Sequence, residues 1–544
     1  MASNTLSALS TSTLLQGILT SHGPQTTLPT AQSLQKATQT IIQTLPTTGL
    51  GLETTAAHLL QDITPGLNGS SLSPNYYGFV TGGHTPISLF ADHIVSVWDQ
   101  NVQVHLPHET LATVVEDRAL RMLCQLFDFS PESFPARTFT TGATASNILG
   151  LAAGREYVLR SASRRAGVEY DSTQGLLASC SRAGIRKIQV LTTMPHSSLG
   201  KAANIVGLGS GSLIDVSIRG PDGNPGIKFD LHKLETLLSQ ANSASIVAVS
   251  CSEVNRGGFA TTNQADMQQL RALCNKHNAW LHIDAGTIPP LHISRRLTIE
   301  KAFGIFATLL PDAPQYHGIR SSTTGLHLAD SIATDGHKLL NVPYDTGIFF
   351  SRHADIIAAT FSNPNAAYLR SPSSDDDDGI NSPLNLGLEN SRRWRALPVY
   401  ANLLAYGRTG YSEMVTRMVQ LARGIAQFIL TDCPWLELLL PPGNATANAT
   451  GTAEFEAVVS PDQATTTNGE RKRLLDCIFI VVAFRECDPL RNETLVQRIK
   501  DDKRIYVSGT VLLGKAAARI AVAKWDVDVQ RDLALVSEAL MAVR

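Results

Sequence analysis

Apolar and polar positions along the middle of the chain follow two alternating patterns. Short, mostly apolar runs that are typical of buried strands alternate with longer segments in which apolar residues recur at helical spacing. The predicted elements are a helix over 108–127, strands over 187–192, 246–250 and 280–284, and a helix over 263–277. This alternation predicts an α/β domain in which helices cover a mostly parallel sheet. In such a sheet, ligands bind beyond the carboxyl ends of the strands.

The length and the pattern together predict three structural units in the 544 residues. We expect an N-terminal segment over 1–105, a large α/β domain over 106–386 and a smaller α+β domain over 387–544. A helix over 391–405 would open the small domain. The stretch 441–470 is rich in Ala, Thr, Gly and Asn, and this low-complexity composition predicts a solvated insertion.

Composition argues against several classes of function. The net charge of −2 gives no reason to expect binding to nucleic acid or to an anionic membrane. No apolar run approaches the roughly 20 residues of a membrane span, and residues 1–20 lack the basic start and apolar core of a secretory signal. Seven cysteines without paired spacing fit reduced thiols better than disulfides or a zinc site. We therefore expect a cytoplasmic enzyme without a metal site.

The strongest chemical signal is Lys338, which directly follows His337 between apolar strands predicted over 331–334 and 347–351. A lysine in a turn is usually exposed, but burial lowers the pKa of a lysine and leaves its amine nucleophilic for Schiff-base chemistry. Asp284 ends another apolar strand farther upstream. A pyridoxal phosphate enzyme needs both groups, because a lysine binds the cofactor aldehyde and a carboxylate keeps the pyridine nitrogen protonated.

A phosphate site is predicted where the strand over 137–141 leads into a turn that contains Ala143 and Thr144. Small residues and backbone N–H groups at a helix N-terminus form a phosphate cradle, although an ordinary capped helix uses similar residues. His196 follows the strand over 187–192. A histidine at such a junction is either a core or capping residue, or it lies flat against a planar cofactor.

Taken in chain order, the motifs resemble those of the group II pyridoxal-phosphate-dependent amino-acid decarboxylases, a family that includes the aromatic amino-acid, tyrosine and glutamate decarboxylases. The matching motifs are GFVTGG at 78–83, TGATASN at 141–147, HSS at 196–198, SEVN at 252–255, HID at 282–284, DGHK at 335–338, SRRWRAL at 391–397, GRTGY at 407–411 and VSGT at 507–510. The resemblance implies the PLP-dependent transferase fold (fold type I) with a mostly parallel seven-stranded sheet. It also implies a homodimer whose active sites lie at the subunit interface.

The resemblance further implies a role for each motif. Lys338 would carry the cofactor, Asp284 would pair with its pyridine nitrogen, and His196 would stack on its ring. The other expected cofactor contacts are Ala143, Thr144, Asn255 and His337, and the expected substrate-pocket residues are Phe79 and Thr81. The apolar segment over 87–97 would lie at the dimer interface.

In this family a tyrosine on a loop that reaches the partner's active site protonates Cα after CO₂ leaves. Segment 360–370 resembles that loop, and Tyr368 stands 30 residues after Lys338. We therefore predict that Tyr368 is the general acid; the alternative is an exposed loop aromatic. The polar, acidic run over 371–378 would serve as a tether for this lid.

Several positions depart from the pattern of the family, two of them from that of its aromatic-substrate members, and Asp335-Gly336 stands before His337 where asparagine-proline or similar pairs occur. Gly78 stands where the aromatic-substrate members carry a tyrosine, and its lack of a side chain is expected to leave room in the pocket. Val254 replaces a hydroxyl residue near the cofactor, and Ser252 stands where glycine is usual. The change at Gly78 weakens the case for a phenolic or indolic substrate. Taken together, the departures are compatible with cofactor binding and leave the reaction outcome and the identity of the amino acid open.

Three functions remain as hypotheses. The first is decarboxylation of an L-amino acid to its amine and CO₂ by a homodimer that binds pyridoxal 5'-phosphate. The second is another reaction of this cofactor on the same scaffold, such as oxidative deamination to an aldehyde or cleavage or formation of a carbon–carbon bond. The third is a catalytically silent homologue that only binds a partner, and the intact set of Lys338, Asp284 and His196 argues against it.

Overall fold

The computed structural model describes the chain over 27–193, 197–220, 225–253, 256–284, 303–362, 379–441, 458–459, 468–512 and 514–544. Within these ranges, strands and helices alternate through the middle of the chain as the apolar pattern predicts. No helix in the described ranges is long and apolar enough to cross a membrane.

Strands from the N-terminal, central and C-terminal parts form two large sheets and one hairpin. In chain order, the strands are β1 Tyr76–Tyr77, β2 Ala136–Thr140, β3 Lys187–Thr192, β4 Leu213–Asp215, β5 Ser217–Arg219, β6 Pro225–Phe229, β7 Ser243–Ser250, β8 Trp280–Asp284, β9 Ser331–Asp335, β10 Gly347–Ser351, β11 Leu436–Leu439, β12 Val458–Val459, β13 Val481–Glu486, β14 Tyr506–Leu512 and β15 Lys515–Ala521. The central sheet has seven strands in the order β2-β10-β9-β8-β7-β3-β4. Among these described strands, β10 alone runs antiparallel to its neighbours. The predicted mostly parallel seven-stranded sheet is therefore confirmed.

Helices cover both faces of the central sheet and pack along the smaller one. In chain order, the α-helices are α1 Ala31–Thr40, α2 Leu52–His58, α3 Pro86–Trp98, α4 Ala112–Leu126, α5 Ala143–Ala166, α6 Gly175–Arg182, α7 Ser197–Ile205, α8 Leu231–Leu238, α9 Gln264–His277, α10 His317–Ser321, α11 Ala354–Phe361, α12 Ala396–Asp432, α13 Asn468–Asp476, α14 Pro489–Asn492, α15 Leu495–Asp502 and α16 Val529–Ala542. Helix α9 shows why the predicted bounds were close. The Asn263 side chain accepts from the Asp266 N–H at its start, and Asn278 ends it in the left-handed conformation.

The smaller sheet joins the two ends of the chain. Its order is β1-β14-β15-β13-β11-β12, so the N-terminal strand β1 pairs in parallel with β14 more than 400 residues later. Residues 76–77 therefore extend the sheet of the C-terminal part, although they precede the large domain in sequence. The segment that follows β1 reaches both sheets, since a Cβ atom on Gly82 would collide with Asn341, which follows β9, and with the Ala523 carbonyl oxygen, which follows β15.

Two predictions for the small domain were wrong in detail. Helix α12 starts later than expected and runs to Asp432, and Gly407 interrupts it with φ 55°, close to the predicted end at 405. The stretch 441–470 is also not one uniform loop, because β12 lies within it and α13 begins there. The apolar, β-branched pair Val458–Val459 forms β12, which pairs with the edge of β11. The low-complexity residues around this pair gave no indication of a strand.

Candidate active site

Three elements bring their functional ends to one edge of the central sheet. β8 ends at Asp284 and its parallel neighbour β9 ends at Asp335, with Asp284 opposite Ala333. β2 runs in the same direction as β9 and leads directly into α5. Lys338 follows β9 by three residues. The carboxyl ends of these strands therefore lie at the same edge of the sheet, where the predicted site residues Asp284 and Lys338 are found.

Lys338 is buried, with 3% of its side chain exposed. Its Nζ atom lies 3.9 Å from Asp335 Oδ2 and 5.9 Å from the centre of the Phe303 ring. A lysine that is enclosed by an aromatic ring and a carboxylate is not a surface turn residue.

Asp284 is also buried, and its carboxylate is tied to helix α5. Asn147 in the second turn of α5 donates from Nδ2 to Asp284 Oδ1 over 3.1 Å. This contact spans 137 residues of sequence. The contact was not predicted, although Asn147 lies in one of the motifs that carry the resemblance. The carboxylate thus has a defined orientation at the end of β8.

The turn that is predicted to bind phosphate leads into the start of α5. Gly142 precedes the helix without a side-chain cap, and the Ala143 N–H donates to Asp335 Oδ1 over 2.6 Å. Thr144 lies in the first turn. A Cβ atom on Gly347 would lie 2.5 Å from Gly142 Cα, so β10 passes directly beneath the turn. The Asp335 carboxylate therefore occupies the Ala143 N–H at this helix N-terminus, and phosphate binding at the turn stays a prediction.

His337 connects this cradle to the predicted substrate side. Its Nδ1 atom lies 3.1 Å from the Thr346 carbonyl oxygen, and its ring packs against Tyr344 with 4.9 Å between ring centres. The Tyr344 hydroxyl in turn lies 2.8 Å from Thr81 Oγ1. Sequence reasoning missed Tyr344. The sequence did offer one indication of a role for Tyr344, because it lies in the short connection between Lys338 and β10.

The room expected at Gly78 does not exist. A Cβ atom on Gly78 would lie 2.4 Å from Tyr506 Cε1, because the Tyr506 ring occupies that space and stacks on Tyr76 with 4.8 Å between ring centres. Phe79 is half-buried beside this pair. The Gly78 carbonyl accepts from Arg519, a buried cation that sequence reasoning also missed. The space beside Gly78 is therefore filled by an aromatic ring, and this ring belongs to a residue that is distant in sequence.

Three of the predicted site residues lie outside the described ranges. They are His196, Asn255 and Tyr368. The remaining seven are described, and the contacts above place Asp284, Ala143 and Lys338 at one edge of the sheet, with His337 linked to Thr81 through Tyr344. Their roles remain predictions.

Helix α5 lies very close to β8 because two glycines face the strand. A Cβ atom on Gly150 would lie 2.4 Å from His282 Cε1, and one on Gly154 would lie 2.9 Å from Trp280 Cδ1. This close approach brings Asn147 within hydrogen-bonding distance of Asp284. Bulkier residues at these positions would separate the helix from the strand.

We expect Gly150→Ala to lower the free energy of unfolding by about 1–3 kcal/mol, because the added methyl group overpacks the contact with His282. Thermal or denaturant unfolding measures the effect. Gly200→Ala in α7 is the matched control, since the nearest atom to its Cβ would be Ser210 Cβ at 3.8 Å. That variant should be neutral or slightly stabilised. Equal effects of the two substitutions would contradict the close-packing argument.

The sequence model of the pyridoxal-dependent decarboxylase conserved domain matches residues 39–307 and 312–444. This match covers most of the chain and includes Lys338 and Asp284. The chain belongs to this family. The cofactor of the family is pyridoxal 5'-phosphate, as the buried lysine and carboxylate predicted.

Known proteins similar to the chain include several amino-acid decarboxylases. An L-2,4-diaminobutyrate decarboxylase of Acinetobacter baumannii is 25% identical over 56% of this chain and 54% of its own length. An L-aspartate decarboxylase of Metarhizium robertsii is 22% identical over 71% of the chain and 67% of its own length. The chain thus spans about half the length of the first relative.

Solved structures confirm the fold. The Oryza sativa enzyme solved with PLP and tryptamine has a TM-score of 0.73 at 18% identity, with 100% of this chain and 98% of that chain covered. Rhodiola rosea 4-hydroxyphenylacetaldehyde synthase has a TM-score of 0.70 at 16% identity, with 99% and 97% covered. At these identities the likeness concerns the fold alone, which is fold type I.

Proposed function

We propose that the protein is a pyridoxal-phosphate-dependent decarboxylase that converts an L-amino acid to the corresponding amine and CO₂. The observation that carries the proposal is the placement of the buried Lys338 amine and the buried Asp284 carboxylate at one edge of the central sheet, beside the N-terminus of α5. Membership of the decarboxylase family supports the same reaction.

The residues present fit the cofactor. Lys338 would bind its aldehyde, Asp284 would hold a proton at its pyridine nitrogen, and the start of α5 with Ala143 and Thr144 would face its phosphate. His337 would lie at the same end. When bound, the cofactor supplies the electron sink that stabilises negative charge at Cα. The protein's own task is to orient the substrate carboxylate and to exclude water from it.

Further roles in the proposal are assigned from the sequence alone. His196 would stack on the cofactor ring, Asn255 would contact the cofactor, and Tyr368 would return a proton to Cα. Phe79 and Thr81 would line the substrate pocket, and the hydrogen bond between Thr81 and Tyr344 supports a place for Thr81 near His337.

The direct test is incubation of the cofactor-loaded protein with a panel of L-amino acids, followed by mass spectrometry. Aspartate and 2,4-diaminobutyrate belong in the panel, since relatives carry these substrates in their names. Formation of the amine with loss of 44 mass units, the mass of CO₂, supports decarboxylation. Unchanged amino acids throughout a broad panel would argue against the proposal.

A second reaction on the same scaffold is oxidative decarboxylation-deamination, in which dioxygen and water convert the amino acid to an aldehyde, CO₂, ammonia and hydrogen peroxide. The observation that favours it is the presence of an aldehyde-forming enzyme among the similar proteins, a phenylacetaldehyde synthase of Arabidopsis thaliana that is 21% identical over 64% of this chain. The same panel separates the two reactions, because aldehyde and ammonia replace the amine among the products.

We propose that the active form is a homodimer. Helix α3 supports it, because Phe90, Val97 and Trp98 on this helix are 60%, 71% and 69% exposed, which is unusual for large apolar side chains on one helix. Sedimentation equilibrium should therefore give twice the chain mass of 58.5 kDa. Val97→Glu combined with Trp98→Glu should shift the protein toward monomer and reduce activity. An active monomer of the unmodified chain would contradict the proposal.

We also propose a cytoplasmic location. All seven cysteines lie in the described ranges and none of them forms a disulfide there, which fits a reducing compartment. Fractionation of cells that express the natural protein tests this location, and recovery in a secreted or organellar fraction would contradict it.

A further inference from the structure

Asp284 is the end of a chain of hydrogen bonds formed by four other buried polar side chains. Two of these side chains are on β8, one is on β9 and one is on α5. Trp280 Nε1 lies 2.9 Å from Ser331 Oγ, and the same oxygen lies 2.8 Å from His282 Nδ1. His282 Nε2 lies 2.9 Å from Asn147 Oδ1, and Asn147 Nδ2 lies 3.1 Å from Asp284 Oδ1. We call these four residues and Asp284 the carboxylate chain.

The chemistry of its two ends determines the direction of every hydrogen bond in the carboxylate chain. An ionised Asp284 only accepts, so the Asn147 amide must turn its NH₂ group toward it and its oxygen toward His282. The second N–H of this amide reaches Ser198 Oγ over 3.3 Å. His282 must therefore donate from Nε2.

The same reasoning fixes the other side of the imidazole ring. A neutral ring that donates from Nε2 accepts at Nδ1, so the Ser331 hydroxyl donates to it. The Ser331 oxygen then accepts from the Trp280 indole, which can only donate. Every bond in the carboxylate chain thus points toward Asp284. Aligned hydrogen bonds polarise one another and stabilise negative charge at the accepting end.

Burial makes this alignment energetically important. Trp280, His282, Ser331 and Asn147 have no exposed surface, and Asp284 is 2% exposed. Complete burial lowers the pKa of His282 to about 3, so the ring is neutral at physiological pH. Gly150 leaves space for this ring, since a Cβ atom there would collide with it.

We propose that Asn147 and His282 are positioning residues for the cofactor, which hold the Asp284 carboxylate ionised and fixed in rotation so that it can keep the pyridine nitrogen protonated. The inference rests on the proposed cofactor-binding function. Neither residue needs to touch the cofactor, because both act through Asp284. A purely structural role would stabilise the fold equally well but would not affect the affinity for the cofactor.

The first test uses paired substitutions and measures the dissociation constant for pyridoxal 5'-phosphate by absorbance titration. His282→Leu and Asn147→Leu remove the donors and should weaken binding by about ten- to hundredfold, the effect of losing a charge-assisted hydrogen bond. His282→Gln places an amide N–H close to the position of Nε2 and should restore most of the affinity. Gln189→Leu is the control, since Gln189 is a buried amide of β3 that bonds to Ser245 and the Leu237 carbonyl instead.

The second test uses the apoprotein and needs no cofactor. The ¹⁵N chemical shifts of the histidine rings, with the His282 signal assigned from its absence in His282→Gln, should report a neutral Nε2–H tautomer between about pH 5 and 8. A protonated ring or an Nδ1–H tautomer would overturn the inference. So would cofactor affinities of His282→Leu and Asn147→Leu equal to that of Gln189→Leu. If the unmodified protein binds no pyridoxal 5'-phosphate at all, it is the proposed function that fails, whereas the tautomer result still stands for the carboxylate chain.

Discussion

Replacing Lys338 by alanine is expected to abolish amine formation, with a loss of at least about 10³-fold. The reason is that Lys338 provides the buried amine beside Asp335 at the edge of the sheet that also carries Asp284. Reduction of the cofactor-loaded protein with borohydride, followed by peptide mapping, should place the pyridoxyl label on Lys338. The label and the activity should disappear together in Lys338→Ala.

The chain offers a matched control in Lys524. This lysine is also buried, with 4% of its surface exposed, and burial lowers its pKa to about 8. If a low pKa alone were sufficient for Schiff-base formation, Lys524 would also be a candidate for the nucleophile. Of these two lysines, only Lys338 lies at the strand ends together with Asp284, so the label should be absent from Lys524. Labelling of Lys524 in the unmodified protein would contradict the assignment of the site.

Replacing Tyr368 by phenylalanine should lower amine formation by roughly 10²–10⁴-fold, the usual effect of losing a general acid. The substitution removes one hydroxyl group, and binding of cofactor and substrate should remain. When Cα is not protonated, dioxygen can oxidise the carbon instead. Aldehyde, ammonia and hydrogen peroxide should then rise as the amine falls. Mass spectrometry measures the amine and the aldehyde, and a peroxide assay measures the hydrogen peroxide.

Tyr344→Phe is the comparison for this prediction. It removes a hydroxyl group from a described tyrosine that bonds to Thr81 and packs against His337. We expect this variant to change the KM for the amino acid and to leave the ratio of amine to aldehyde unaltered. Unchanged amine output from Tyr368→Phe would mean that another group delivers the proton, and a shifted product ratio in Tyr344→Phe would identify Tyr344 as that group.

Much of the fold could be predicted from the sequence because the signals are local. The predicted strands over 187–192, 280–284 and 347–351 match the observed bounds, since each is a short apolar run and both faces of a central strand are buried. Strand direction then determines where the chemistry lies. Once Asp284 and Lys338 follow parallel strands, their meeting at one edge of the sheet is a geometric consequence.

Contacts between distant segments could not be predicted in this way. Tyr506 fills the space beside Gly78, although more than 400 residues separate them, and the sequence alone suggested an open pocket. The same holds for the pairing of β1 with β14. The hydrogen bond from Asn147 to Asp284 likewise depends on how closely α5 approaches β8, which Gly150 and Gly154 permit.

The sequence by itself therefore determined the class of fold and the family, and it predicted the principal groups of the site, Lys338 and Asp284. Local apolar periodicity is sufficient for the class of fold, because it depends on neighbours along the chain. The family followed from the resemblance of the motifs, and Lys338 and Asp284 followed from residue chemistry together with that resemblance. Only the tertiary structure decided which side chains support those groups. Hydrogen bonds such as those of His282 form between elements whose separation is set by side-chain packing, and no local pattern records that distance.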